Sequence, residues 1–207
     1  MFQSRESSFT GCFIIIKPES GSDRKSSYQA EMKKRLFLLI FSIFFLAPSS
    51  FCAEEKISDG LNKSYYENGA LKAEANFQGG KMHGPARFYR EDGTLIRECV
   101  FKEDKLEGPV REFYQDGKPS NELYYQEGKL NGVVRQFYPS GGMKAQMNYK
   151  NDKLDGQAQQ YYENGQLKFD SSFSEGKPNG THKKYSLDGK LILETAFKKG
   201  KLVKNKR

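Results

Sequence analysis

From Gly60 the chain repeats itself every 24 residues with no insertion, and this period limits its folds more than any other feature. With Gly60 as position one, glycine returns at Gly84, Gly108, Gly132, Gly156 and Gly180, and again at position ten as Gly69, Gly93, Gly117, Gly141, Gly165 and Gly189. Position six is always aromatic (Tyr65, Tyr89, Phe113, Phe137, Tyr161, Tyr185), and so is position eighteen (Phe77, Phe101, Tyr125, Tyr149, Phe173, Phe197). Six units follow: 60–83, 84–107, 108–131, 132–155, 156–179 and 180–203.

Each unit reads strand, turn, strand, turn. Asn68-Gly69, Asp92-Gly93, Asp116-Gly117, Asn164-Gly165 and Asp188-Gly189 suit a two-residue type I′ hairpin, whose central residues both need positive φ. A second turn, at Gly79-Gly80, Glu103-Asp104 and their equivalents, links one hairpin to the next. A two-residue turn at positions nine and ten sets position four opposite position fifteen. Lys63 then faces Glu74, Arg87 faces Glu98, Arg111 faces Glu122, Arg135 faces Gln146, Gln159 faces Asp170 and Lys183 faces Glu194. Turn chemistry alone does not require that complementarity, so it supports the register independently.

The same register places Tyr66, Tyr114, Tyr138 and Tyr162 opposite Leu71, Pro119, Met143 and Leu167, and the linking turn sets Phe101 across from Leu106. Prolines fall outside positions three to seven and thirteen to eighteen, which predicts strand cores of five or six residues. The expected fold is all-β: an elongated single-layer antiparallel sheet of six tandem 24-residue β-hairpin repeats. One face carries Leu and aromatic rows, and the other carries the charge ladder beside the position-six rings. The tyrosines Tyr66, Tyr114, Tyr138 and Tyr162 are the candidate partner-binding surface; the position-ten glycines are structural.

Units such as Gly-Pro-Val-Arg-Glu-Phe-Tyr-Gln-Asp-Gly (108–117), linked by Glu-Gly-Lys-Leu-Asn-Gly (127–132), resemble the MORN-repeat variant family, whose bacterial members are often labelled YwqK-type antitoxins. The resemblance covers residues 60–203 and implies a MORN-like elongated sheet used as a scaffold, with protein or phospholipid partners. It brings no shared catalytic residue.

Upstream of the repeats, Met32-Lys33-Lys34-Arg35, an apolar run over 36–47 and a small-residue exit before Glu54-Glu55 form a signal peptide over 32–53. A run of twelve residues is short of the ~20 that span a bilayer. Residues 1–31 read as an extension before the true start, residues 54–59 lead into the repeats, and 204–207 form a basic tail. Lipidation at Cys52 is disfavoured by the bulky Phe51 before it. An antitoxin role sits poorly with export, since a toxin is normally neutralised where it is made.

The formal charge is +8; from Glu54 onward, 27 Lys and Arg against 22 Asp and Glu leave +5. The end of the chain concentrates Lys198, Lys199, Lys201, Lys204, Lys206 and Arg207, a second contact candidate, for an anionic membrane surface. Of three cysteines, Cys12 and Cys52 precede the repeats, which leaves Cys99 as a small core residue. The two histidines, His83 at a turn and His182 in a strand, do not recur and read as surface residues rather than metal ligands. The acids follow ladder and turn positions, and the glycines fall in turns rather than in a phosphate loop before a helix. Neither a catalytic site nor a cofactor is expected. Nucleic acid is not an expected partner either, because each ladder Arg already faces an acid or amide. The sequence therefore points to an exported, non-catalytic scaffold that binds a protein or envelope component. Its rivals are a cell-wall or glycan-binding module, a peripheral membrane protein and an antitoxin-like inhibitor.

Overall fold

The computed structural model describes residues 57–206. The extension, the signal peptide and Cys52 lie outside the described residues. The fold is all-β: a single antiparallel sheet of 15 strands. In chain order these are β1 Gly60–Tyr65, β2 Leu71–Gln78, β3 Lys81–Tyr89, β4 Leu95–Lys102, β5 Lys105–Leu106, β6 Gly108–Phe113, β7 Pro119–Gln126, β8 Lys129–Leu130, β9 Gly132–Phe137, β10 Met143–Lys150, β11 Lys153–Tyr161, β12 Leu167–Ser174, β13 Lys177–Tyr185, β14 Leu191–Lys198 and β15 Lys201–Lys206. Every neighbour in the sheet is also a neighbour in sequence, apart from the two-residue β5 and β8, which pair beside the main path. At about 4.8 Å per strand the path extends roughly 58 Å.

The position four to fifteen register holds in all six units. It also continues between units, so one row crosses the whole path: Lys63, Glu74, Arg87, Glu98, Arg111, Glu122, Arg135, Gln146, Gln159, Asp170, Lys183, Glu194, Lys206. Sign alternates at every step except across the two glutamines. Within this row the ion pairs join neighbouring units rather than the two strands of one hairpin: Arg87 to Glu74 at 3.3 Å, Arg111 to Glu98 at 3.1 Å and Arg135 to Glu122 at 3.4 Å. Lys204 to Lys206, expected as a tail, belong to β15 and close the row.

The turn types are the reverse of those expected. The linking turns are the ones with positive φ at both central residues, for example Gly79 and Gly80 (58° and 74°), Glu103 and Asp104 (50° and 64°) and Asn151 and Asp152 (48° and 67°). At the other end of the hairpin only the position-ten glycine is left-handed, with Gly69 at 83°. There Gly69 N–H donates to the Tyr66 carbonyl and Tyr66 N–H to the Ala70 carbonyl, a three-residue loop built on a type I turn. Asn68 keeps negative φ because its side chain has another use: its Oδ1 accepts from Ala70 N–H at 2.9 Å, as Asp92 does from Thr94 and Asn164 from Gln166.

A three-residue loop would shift the register by one, and a bulge restores it. Tyr65 pairs with Leu71 and Ser64 with Ala73, leaving Lys72 without a Cα partner; the same step recurs at Lys144 and Lys168. One pairing expectation is therefore corrected: Leu71, Pro119, Met143 and Leu167 face Tyr65, Phe113, Phe137 and Tyr161, not the position-seven tyrosines. The bulge also places positions thirteen and fourteen on one face.

A further irregularity follows each linking turn. Phe77 pairs with Met82 and Ala75 with Ala86, so one residue of β2 spans three of β3. Position one sits in that bend with φ from 82° to 106°. At Gly156 φ is 106°, and a Cβ there would meet Asn148 Cβ at 3.2 Å, so only glycine fits. Strands continue through these bends over Gly84 and Pro85, and β3, β11 and β13 reach 9 residues, longer than the expected cores.

With one layer, the core is a stripe on one face. Position three (Ala86, Val110, Val134, Ala158) interleaves with position sixteen (Ala75, Cys99, Met147), and all of these are buried. Half-buried residues at positions five and fourteen, joined by the buried Ala145, flank the stripe, and Phe77, Phe101, Tyr149 and Phe173 cover its position-eighteen side. His182 lies in the same stripe and is 4% exposed, which corrects its reading as a surface residue; it takes the place that Val134 fills two units earlier. His83, expected at a turn, lies within β3.

A double-mutant cycle of Arg111→Gln with Glu98→Gln is expected to give a coupling of about 0.2–1 kcal/mol, near the low end because Arg111 is largely exposed. Arg111→Gln with Glu122→Gln should couple less, as urea midpoints of the single and double variants will show.

Candidate functional site

Position seven connects the units. The Tyr66 hydroxyl donates to the Tyr89 carbonyl at 2.7 Å, Tyr114 to Phe137 at 2.6 Å, Tyr138 to Tyr161 at 2.8 Å and Tyr162 to Tyr185 at 2.9 Å. Arg90 serves the same purpose in the second unit, donating Nη2–H to the Phe113 carbonyl at 3.1 Å. In the sixth unit Ser186 is too short to reach onward, and its hydroxyl bonds within its own turn to Asp188 and Lys190. The four candidate tyrosines are thus half-buried with their hydroxyls engaged, and what they offer outward is ring surface.

Lysines occupy much of that ring surface. Lys72 Nζ lies 5.3 Å from the Tyr66 ring centroid, Lys144 Nζ 5.8 Å from Tyr138 and Lys168 Nζ 5.2 Å from Tyr162. These lysines are the bulged position-thirteen residues, so the bulge that repairs the register also aims an ammonium over the ring. Lys168 and Lys184 both stand 5.8 Å from the Phe169 ring. Burial raises the Tyr138 hydroxyl pKa, helped by the field of Glu163.

A second column of bonds holds the linking turns. Position twenty-four of one unit accepts the position-twenty N–H of the next: Asp59 from Gly79 at 2.6 Å, Glu107 from Glu127 at 2.7 Å, Asn131 from Asn151 at 3.1 Å, Asp155 from Glu175 at 3.1 Å and Asn179 from Lys199 at 3.1 Å. Backbone bonds run alongside, from Asp104 N–H to the Met82 carbonyl and from Asp152 N–H to the Leu130 carbonyl, both at 3.0 Å. Left-handed φ at Glu127, Asn151, Glu175 and Lys199 costs ~1–2 kcal/mol per residue, and these contacts with the preceding unit offset it.

The opposite face holds the charge ladder with the position-six rings. Tyr89 donates to Glu74 Oε1 at 2.9 Å, and Arg87 approaches the same oxygen. The Tyr89 hydroxyl, then Arg87, holds the Glu74 carboxyl below its ordinary range. In the core, burial pushes the Cys99 thiol up to about 12, so it stays protonated. Burial lowers the His182 pKa, opposed by a hydrogen bond with the Ser172 backbone and the field of Asp170. The Phe173 and Phe197 rings meet the imidazole edge to face at 5.3 and 4.8 Å. Among the described residues no three His, Cys, Asp or Glu side chains converge as a metal-binding group.

At the C-terminal end Leu187, Leu191, Ile192, Leu202 and Val203 are each about half exposed or more, beside the exposed Lys198, Lys199, Lys201 and Lys204. The inter-unit staple of position seven and the acceptor of position twenty-four were missed from sequence. The second had a visible signal, since position twenty-four is Glu, Asn or Asp in four of the six units.

A continuous sheet of hairpins joined by unit-to-unit bonds defines a tandem β-hairpin repeat scaffold. The MORN repeat variant signature matches residues 58–78, 82–103, 106–129, 130–151 and 154–175, and the chain belongs to that family. The structure carries the same pairing on through a sixth unit. No curated protein matches by sequence. Among solved structures, an S. aureus TarM mutant in complex with fondaparinux, alpha-GlcNAc-glycerol and UDP is similar at 14% identity, over 61% of this chain and 23% of that one, with a TM-score of 0.35. A second TarM structure is similar at 14% identity, over 59% and 24%, with a TM-score of 0.33. This chain spans less than a quarter of those proteins, and so slight a likeness does not bear on function.

Tyr138→Phe, which removes one staple and leaves the ring, is expected to cost about 0.5–1.5 kcal/mol in urea denaturation. A depressed histidine pKa means that the unfolded chain binds a proton more readily than the folded one. His182 therefore contributes stability fully present above its ordinary 6.5 and lost as pH falls through its lower folded value. Between about pH 7.5 and pH 5.5 the urea midpoint should fall for the wild type and fall less for His182→Val.

Proposed function

We propose that this MORN-repeat scaffold is exported, non-catalytic and binds a protein or an envelope component. The observation that carries the reading is the recurrence of the same half-buried aromatic and charged rows every 24 residues across one bonded sheet. Such a surface offers a partner many equivalent contacts at fixed spacing, and the staples keep that spacing rigid. Chemistry at a single centre needs a different arrangement, with unlike groups converging on one point. Export rests on the signal peptide at 32–53.

Capture from the native envelope fraction with residues 54–207 as bait tests the reading. Saturable retention of an envelope component, competed by free bait, is expected. Retention of cytosolic proteins alone would end the export half of the proposal, and no saturable retention would end the binding half.

A further inference from the structure

The two faces of the sheet differ in how their cations are matched. On the ladder face, Lys63, Arg87, Arg111, Arg135 and Lys183 alternate with Glu74, Glu98, Glu122, Asp170 and Glu194, so the described row is neutral up to β15. On the core-stripe face, Arg97 pairs with Glu112. Lys144, Lys168 and Lys184 have no ion pair among the described residues and stand over Tyr138, Tyr162 and Phe169 instead. They belong to repeats four, five and six, and Lys144 and Lys168 are one repeat apart, roughly 9.6 Å at two strand spacings.

We propose that repeats four to six bind an anionic polysaccharide along the core-stripe face, with Lys144 taking one anionic group and Lys168 together with Lys184 taking the next. The inference rests on the reading of the chain as a binding scaffold and names its ligand class. One repeat is about the length of a disaccharide, so a chain with one anion per disaccharide meets Lys144 and Lys168 in step, and Lys184, one strand on and beside the same Phe169 ring as Lys168, reinforces the second contact. Lys168 and Lys184 are half-buried beside the rings and Lys144 is exposed. A nucleic acid would need open ring faces for its bases, and ammonium groups cover these. A peptide strand would need backbone partners, which a sheet offers at its edges and not on its face. Charge matching of this kind weakens with salt.

The test uses residues 54–207 with hyaluronate, which has one carboxylate per disaccharide, and with neutral dextran, single-stranded DNA and phosphatidylglycerol vesicles for comparison. Hyaluronate should bind and dextran should not. The triple variant Lys144→Gln, Lys168→Gln, Lys184→Gln should lose about tenfold or more in affinity, as expected for up to ~1 kcal/mol per ion pair. The charge-matched triple Lys129→Gln, Lys153→Gln, Lys177→Gln should stay within about twofold, and arginine at the three sites should keep binding. Equal losses in both glutamine triples, or tighter binding to DNA or vesicles than to hyaluronate, would overturn the proposal. So would absent hyaluronate binding, which leaves the scaffold reading standing if envelope capture succeeds and removes both if it fails.

Discussion

A sheet one layer thick has no second layer to press against, so its cohesion has to come from bonds that run along it. Here those bonds cross every unit boundary at both ends of the hairpins. On one side a position-seven side chain donates to the position-six carbonyl of the next unit. On the other, turn N–H groups donate back to the preceding unit. The narrow buried stripe between the two columns adds about 1.5–3 kcal/mol for each large side chain it covers. In such an array each unit is stabilised by its neighbours rather than by a shared globular core.

The two turns have opposite logic, and the difference shapes both faces. The linking turn is a tight type I′ reversal whose unfavourable φ values are stabilised from outside the unit. The hairpin loop is one residue longer and holds itself together through an Asn or Asp side chain. Its extra residue is cancelled by a bulge at position thirteen, and that bulge turns Lys72, Lys144 and Lys168 toward the tyrosines. A local repair of register is thus also what puts recurring positive charge beside aromatic rings.

The first and sixth units differ from the others in these same bonds. Asp59 precedes the first unit yet supplies the acceptor that Gly79 needs, so the first linking turn is held as the later ones are. In the sixth unit Ser186 bonds within its own turn, and Val203 stands where units two to five carry an acceptor.

Much of the fold was legible without coordinates. Period and charge complementarity determined the hairpin count, the antiparallel order and the pairing of position four with fifteen, because like charges opposed at that spacing would be penalised. The Asn-Gly and Asp-Gly pairs were misread, since the same residues serve a type I′ turn through φ and a longer loop through a side-chain oxygen. Only the folded sheet could decide between them. It also decided that Tyr138 and Tyr162 give their hydroxyls to the next unit and their rings to a lysine, and that His182 lies under Phe173 and Phe197. A repeat in sequence establishes that the units are equivalent, whereas contacts spanning 20 to 23 residues exist only once those units stand side by side.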